Sequence, residues 1–224
     1  MKLIENNTSL VIAGSWNPAI LNPSWVASKA MSLDLGQNFP VNVEVAVGVP
    51  DQAMIFEFEQ IKYVATRNNV TFFLKDNDEA QNAKTISTAA KILELLPHTP
   101  VTGFGFNFRY EIESPSKVIL GTFTMGAKVA AYFDAIEVDV VRHAWDVVIK
   151  IQDRLITMNA QLEGDKVFVT YNVHYEIDNA LIASQKLAVL IYLQLSLMIL
   201  ILLMLNFHQR NRNAQSKFFG VRCK

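Results

Sequence analysis

The chain has 224 residues, 51% of them hydrophobic, with 20 lysine and arginine side chains against 21 aspartate and glutamate side chains. This length suits one domain followed by a tail, and the domain can bury a core without disulfides or metals. The formal net charge of −1 provides no broad positive field, so generic nucleic-acid binding is unlikely. A single cysteine, Cys223, excludes an intramolecular disulfide and favours a reducing compartment.

The first forty residues predict one strand and one short helix. Lys2 is followed by Glu5 and two asparagines rather than by an apolar stretch, so we expect no secretory signal and a cytoplasmic domain. Residues 10–13 favour a strand. Residues 23–31 favour a short helix, because Asn22 can cap its N-terminus and a proline occupies its first position.

The middle of the chain combines strand patterns with one amphipathic helix. Strands are predicted over residues 41–49 and 54–58 around a turn at Pro50-Asp51. The segments 54–65 and 70–74 flank a second turn at Arg67-Asn68-Asn69. A covering helix is predicted over residues 78–96, with Asp78 as its cap and Pro97 after its end. Its apolar side comprises Ala83, Ile86, Ala90, Leu93 and Leu96.

A weak internal repeat links this region to the C-terminal strands. The segment FNFRYEIE of residues 106–113 returns as YNVHYEID in residues 171–178, with four of eight positions identical. Both segments alternate apolar with polar residues, as half-buried strands do. Further strands are predicted over residues 140–151 and 155–162, with a hairpin turn at Glu163-Gly164-Asp165. Residues 126–133 favour a short helix.

These patterns together predict an α+β fold. We expect duplicated antiparallel-sheet halves, at about residues 41–113 and 136–178, with a covering helix and a strongly hydrophobic C-terminal helix. The domain should extend over residues 1–179.

The repeated strands also supply the main candidate binding site. Alternation places six polar side chains on one sheet face: Asn107, Arg109, Glu111, Asn172, His174 and Glu176. They could line a groove between the two halves, where a ligand or a partner peptide would meet paired donors and acceptors. The alternative is a solvated face with cross-strand pairs of arginine and glutamate.

Two tryptophans near turns are the second candidate. Trp16, Asn17 and Trp25 could form an aromatic recognition surface, since an indole offers a rigid apolar face and one N–H donor. They are equally suited to filling the core. In a sensing protein they would share a pocket with Arg109 and His174.

Catalytic chemistry has no recognisable motif. None of the four histidines, His98, His143, His174 and His208, has metal-site spacing, and Gly103-Phe104-Gly105 continues as a strand rather than as a phosphate loop. We therefore expect no catalytic residue, no metal and no cofactor.

The most distinctive segment is the apolar run LAVLIYLQLSLMILILLML of residues 187–205, interrupted only by Gln194 and Ser196. At about 1.5 Å per residue, a helix of this length spans the roughly 30 Å core of a bilayer. Residues 180–207 are thus a candidate membrane span and residues 208–224 a basic polar tail.

Two topology arguments conflict over this run. The N-terminus favours a tail-anchored protein with a cytoplasmic domain, whereas the basic residues after the run would place the tail itself in the cytoplasm. The alternatives are a helix buried in the core or in an oligomer, and a tail altered by a frameshift or cloning junction near Ala180.

The leading function hypothesis is a non-enzymatic interaction or assembly module with a protein partner or a homo-oligomeric state, anchored to a membrane if residues 187–205 span one. The alternatives are a small-molecule or nucleotide-sensing domain with a pocket between the halves, and a hydrolase or transferase without a recognisable motif.

Overall fold

The fold is a large antiparallel sheet with a few helices on one side. The computed structural model describes residues 2–4, 8–34, 36, 39–45, 54–75, 78–123, 131–132, 135–136 and 143–190. Its strands are β1 (Lys2–Leu3), β2 (Ser9–Gly14), β3 (Asn42–Val45), β4 (Met54–Phe58), β5 (Ile61–Ala65), β6 (Asn69–Phe73), β7 (Val101–Ile112), β8 (His143–Ile151), β9 (Arg154–Glu163) and β10 (Lys166–Glu176). Its helices are α1 (Pro23–Trp25), which continues as a π-helical turn (Val26–Ala30), α2 (Glu79–Leu95), α3 (Lys117–Gly121) and α4 (Ala180–Leu190).

All the described strands belong to one sheet. Its order is β3-β4-β5-β6-β2-β7-β10-β9-β8, every neighbouring pair is antiparallel, and β1 pairs with the far end of β7. Consecutive strands form hairpins on both flanks, whereas β2 enters the centre between β6 and β7. The fold therefore belongs to the α+β class and consists mostly of sheet.

The core lies between the sheet and the helices. Alternate residues of β7 and β10, such as Phe104 and Val173, point to this covered side, and Phe104 stacks on Tyr175 with ring centroids 4.8 Å apart. Helix α2 packs on the π-helical turn Val26–Ala30 and on α4, and α4 contributes the fully buried Ala180, Ala183 and Leu187. The start of the predicted hydrophobic C-terminal helix is thus packed on the domain.

Helix α2 matches its sequence signals. The Asp78 side chain accepts a hydrogen bond from the Gln81 backbone N–H at 2.9 Å, and the helix ends at Leu95, before Pro97. Its buried side is wider than predicted and includes Thr85 and Thr88, whose hydroxyls donate to backbone carbonyls of the preceding turn. A wide buried side is needed because α2 contacts other helices as well as the sheet.

Two local predictions are refined by the structure, and one helix was not expected. The strand predicted over residues 54–58 is β4, but the extended segment predicted over 54–65 turns at Glu59 and Gln60, both at positive φ (47° and 67°), and continues as β5. The helix predicted over residues 23–31 widens into a π-helical turn, closed by the Met31 N–H on the Val26 carbonyl at 3.2 Å. Helix α3, capped by Ser116, was not predicted.

Other predictions fall on residues outside the described set. Of the helix predicted over residues 126–133, only 131–132 are described, and they are helical; of the strand over 41–49, residues 42–45 are described as β3. Most of the apolar run, residues 191–205, and the basic tail with Cys223 lie outside the description. Within the described ranges, no helix combines the length and apolarity that crossing a membrane requires.

Candidate functional site

Six of the predicted site residues lie on one face of the sheet. In an antiparallel pair, directly opposite residues share a face, and the β7–β10 register places Asn107 opposite Asn172, with Arg109 opposite Thr170. The six are Asn107, Arg109, Glu111, Asn172, His174 and Glu176. We call this side, opposite the buried Phe104 and Val173, the open face, because the described helices pack against the core on the other side.

The two repeated segments are the neighbouring central strands β7 and β10. The repeat relates positions 65 residues apart, from 106 to 171, and Asn107 pairs with Asn172, which is also 65 residues further on (172 − 107). Equivalent asparagines thus meet on a local two-fold axis between the strands. The Asn172 Nδ2 donates to the Asn107 Oδ1 at 2.7 Å, and the Asn107 Nδ2 donates to the Ser9 Oγ at 3.3 Å.

Arg109 and Glu111 have partners that the sequence analysis did not single out. The Arg109 guanidinium carbon lies 5.3 Å from the centroid of the Phe168 ring, and its buried Nε has no hydrogen-bond partner among the described residues. Glu111 accepts a hydrogen bond from the Lys166 Nζ, and this bond raises the pKa of Lys166. The alternation of β10 was a usable signal, since it places Lys166 and Phe168 on the same face as Asn172.

His174 lies above a gap that two glycines leave in β7. Gly105 is directly opposite His174, and a Cβ added at Gly103 would lie 2.9 Å from the His174 Cε1 and 2.8 Å from the Tyr175 carbonyl oxygen. Gly103 therefore makes room for the imidazole and for the neighbouring strand. Glu176, opposite Gly103, is exposed.

The tryptophans do not join this group. Trp16 is 6% exposed, belongs to the core on the covered side, and donates its Nε1–H to the Ile12 carbonyl at 3.2 Å. Trp25 is half-buried against the same core. Asn17 is exposed, and its Oδ1 accepts the Ala19 N–H at 3.1 Å. The pocket expected to combine Trp16 and Trp25 with Arg109 and His174 would need residues from both sides of the sheet.

The open face is chemically a broad hydrogen-bonding surface. Around β7 and β10 it presents amides, hydroxyls, carboxylates, an ammonium group, an imidazole and a guanidinium, most of them half-buried. In the part of the chain that the structure describes, no three histidine, cysteine, aspartate or glutamate side chains converge to hold a metal ion. Comparison with known proteins finds no family model, no curated protein and no solved structure that matches the chain.

Proposed function

We propose that the protein is a non-enzymatic interaction or assembly module that offers the uncovered parts of its sheet to a protein partner or to a second copy. One observation carries this proposal: within the described ranges, helices α1, α2 and α4 contribute to the core on one side of the sheet, and no described strand pairs with the outer edge of β3 or β8. Flat polar surfaces and strand edges suit protein partners better than small ligands, which favour concave apolar sites.

Two finer parts of the proposal concern how the module is built and placed. The local two-fold axis at Asn107 and Asn172 supports an origin by duplication of a sheet half. The burial of Leu187 in α4 means that the apolar run from residue 187 onward begins packed against the domain. If residues 191–205 enter a membrane, they would hold the domain, in the cytoplasm, close to the bilayer.

A sensing function is the second candidate because of Arg109. Its guanidinium lies over Phe168 and its Nε lacks a hydrogen-bond partner among the described residues, so the guanidinium as a whole retains capacity to bind an anionic group. Such a ligand would bind on the open face without the tryptophans.

The test measures the association state of the full chain and of Arg109→Ala by sedimentation velocity in a non-ionic detergent. An assembly module forms a defined oligomer that Arg109→Ala leaves intact. In parallel, thermal unfolding is followed with nucleoside diphosphates and triphosphates. A melting temperature that a nucleotide raises in the native chain but not in Arg109→Ala would favour the sensor. A chain that is monomeric throughout would count against homo-oligomeric assembly.

A further inference from the structure

The two outer edges of the sheet differ in length. Strand β3 has four residues, whereas β8 has nine, and within the described ranges no other strand pairs with the outer edge of either. The register between β8 and β9 runs from His143 to Ile151 without a bulge. A long, regular edge of this kind presents a row of backbone donors and acceptors, and soluble proteins usually protect it or use it for pairing.

The side chains of β8 include only one of the usual devices that prevent pairing, the exposed charges of Asp146 and Lys150. The strand contains no proline, and its covered side carries Trp145, Val147, Ile149 and Ile151, without a charge pointing inward. On the open side Val148 is 61% exposed, between the exposed Asp146 and Lys150. The open side of β8 therefore carries an exposed valine with an acid two residues before it and a base two residues after it.

A second copy of the chain could add its own β8 in antiparallel orientation. Covered-side residues of one copy must then lie opposite covered-side residues of the other. This requires a register in which one residue lies opposite its own copy, with the two-fold axis midway between the two. With the axis at Val148, Asp146 of each copy lies opposite Lys150 of the other, and Val148 lies opposite itself. With the axis at Val147, Asp146 would instead face Val148.

We infer that two copies of this chain associate through β8 in the register centred on Val148, which joins the two sheets into one. The inference rests on the proposed assembly function and identifies its partner and surface. Charge complementarity selects this register, because it places two pairs of opposite charges directly across the new strand pair. The axis leaves the helices of both copies on the same side.

A charge-exchange series tests the pairing. In the full chain, Lys150→Asp and Asp146→Lys each place like charges opposite each other twice, so each should weaken the dimer about tenfold or more. The double variant restores opposite charges with the order reversed and should recover the native dissociation constant. Sedimentation equilibrium in non-ionic detergent measures all four proteins.

A matched control uses the exposed pair Lys91 and Glu94 of α2, whose Nζ and Oε2 lie 3.0 Å apart. Lys91→Asp and Glu94→Lys change the net charge by the same amounts as the β8 variants but lie on the opposite side of the sheet. They should leave dimerisation unchanged.

A cross-link tests the register itself. In a Cys223→Ser background, Val148→Cys places two thiols opposite each other across the axis, at a Cα separation of about 4.5–5.5 Å that a disulfide can bridge. Mild oxidation should then give a covalent dimer. Ala144→Cys, on the same face of the same strand, would lie opposite residue 152 of the second copy and should stay uncross-linked.

The outcomes separate this inference from the function on which it rests. An oligomer that ignores the charge series and forms no Val148→Cys dimer overturns the β8 interface but keeps the assembly function. A chain that is monomeric at every concentration overturns the β8 interface and the homo-oligomeric form of the assembly function, and leaves only a different protein as the partner. Charge dependence with recovery in the double variant, together with the selective cross-link, supports the inferred register.

Discussion

Side chains of β7 alternate between the two faces of the sheet, and the two sets differ in size, polarity and burial. On the covered side Phe104, Phe106 and Phe108 form a line of rings, with Phe106 and Phe108 stacked at 6.2 Å between centroids. On the open side Gly103, Gly105 and Asn107 offer little apolar surface. One strand can therefore carry an apolar stabilising face and a polar face at once, because a period of two assigns each side chain to one of the two.

The largest expected effect comes from the covered side. Phe104→Ala removes a ring that is 1% exposed and stacks on Tyr175, so it should destabilise the fold by about 3–5 kcal/mol. Asn107→Ala, on the open side of the same strand, is the matched variant and should lose about 0.5–1.5 kcal/mol, chiefly its bond with Asn172. Urea unfolding followed by circular dichroism measures both, and equal losses would contradict the division between the faces.

The next effect arises where the open side is crowded. Gly103→Ala would bring a Cβ within 2.8 Å of the Tyr175 carbonyl oxygen, so about 1–3 kcal/mol of destabilisation is expected. Gly105→Ala is the control, because its Cβ would lie 3.2 Å from the nearest atom, the Val173 carbonyl oxygen. Adding His174→Ala to Gly103→Ala should recover only part of the loss, since the backbone contact remains. Full recovery would show that the imidazole alone causes the crowding.

The fold was predictable where it depends on neighbours in sequence. The β9–β10 turn has Gly164 at a φ of 62°, and α2 has its Asp78 cap, so local signals located both elements. The central position of β2 could not be predicted in this way, because its partners β6 and β7 lie about 60 and 90 residues away and no local signal encodes such pairing.

For the candidate site, the face of the sheet on which each residue lies was predictable from the sequence, but the side-chain contacts were not. Alternation is enough to place Asn107 and Asn172 on one face of their strands. Their direct pairing depends on a register that a one-residue shift would destroy. The alternative of cross-strand arginine–glutamate pairs did not anticipate the contacts either, because Arg109 lies over Phe168 and Glu111 pairs with Lys166. The tryptophans were ambiguous because an indole suits a core and a binding surface equally.

Two buried tyrosines on the covered side should make the free energy of unfolding decrease at alkaline pH. Burial raises the pKa of Tyr63 and of Tyr171, so their contribution to stability is complete below the unfolded value near 10 and is lost as pH rises further. Replacing either by phenylalanine should reduce the alkaline loss of unfolding free energy by up to about 1.4 kcal/mol per pH unit.

The same two variants should differ at pH 7. The Tyr63 hydroxyl donates to the Leu21 carbonyl at 2.8 Å, so Tyr63→Phe should destabilise by about 0.5–1.5 kcal/mol. The Tyr171 hydroxyl is buried and has no hydrogen-bond partner among the described residues, so Tyr171→Phe should be neutral or stabilising. A marked loss of stability in Tyr171→Phe would instead show that the Tyr171 hydroxyl forms a hydrogen bond in the folded protein.

The smallest effect concerns the attachment of α4 to the β8–β9 turn. The Lys186 Nζ donates to the Asp153 carboxylate, and this hydrogen bond lowers the pKa of Asp153. Both side chains are substantially exposed, so solvent screens the pair and Lys186→Met should cost less than about 1 kcal/mol at pH 7.

The lowered pKa of Asp153 in the folded protein means that this contribution is present above the unfolded pKa of about 3.9 and disappears as pH falls through the folded pKa. The difference between Lys186→Met and the native chain, measured by urea unfolding, should therefore vanish near pH 2 and shrink in 1 M salt. A difference that persists in acid would instead assign the effect to packing of the Lys186 stem near the Tyr175 ring, whose centroid lies 6.0 Å from the Nζ.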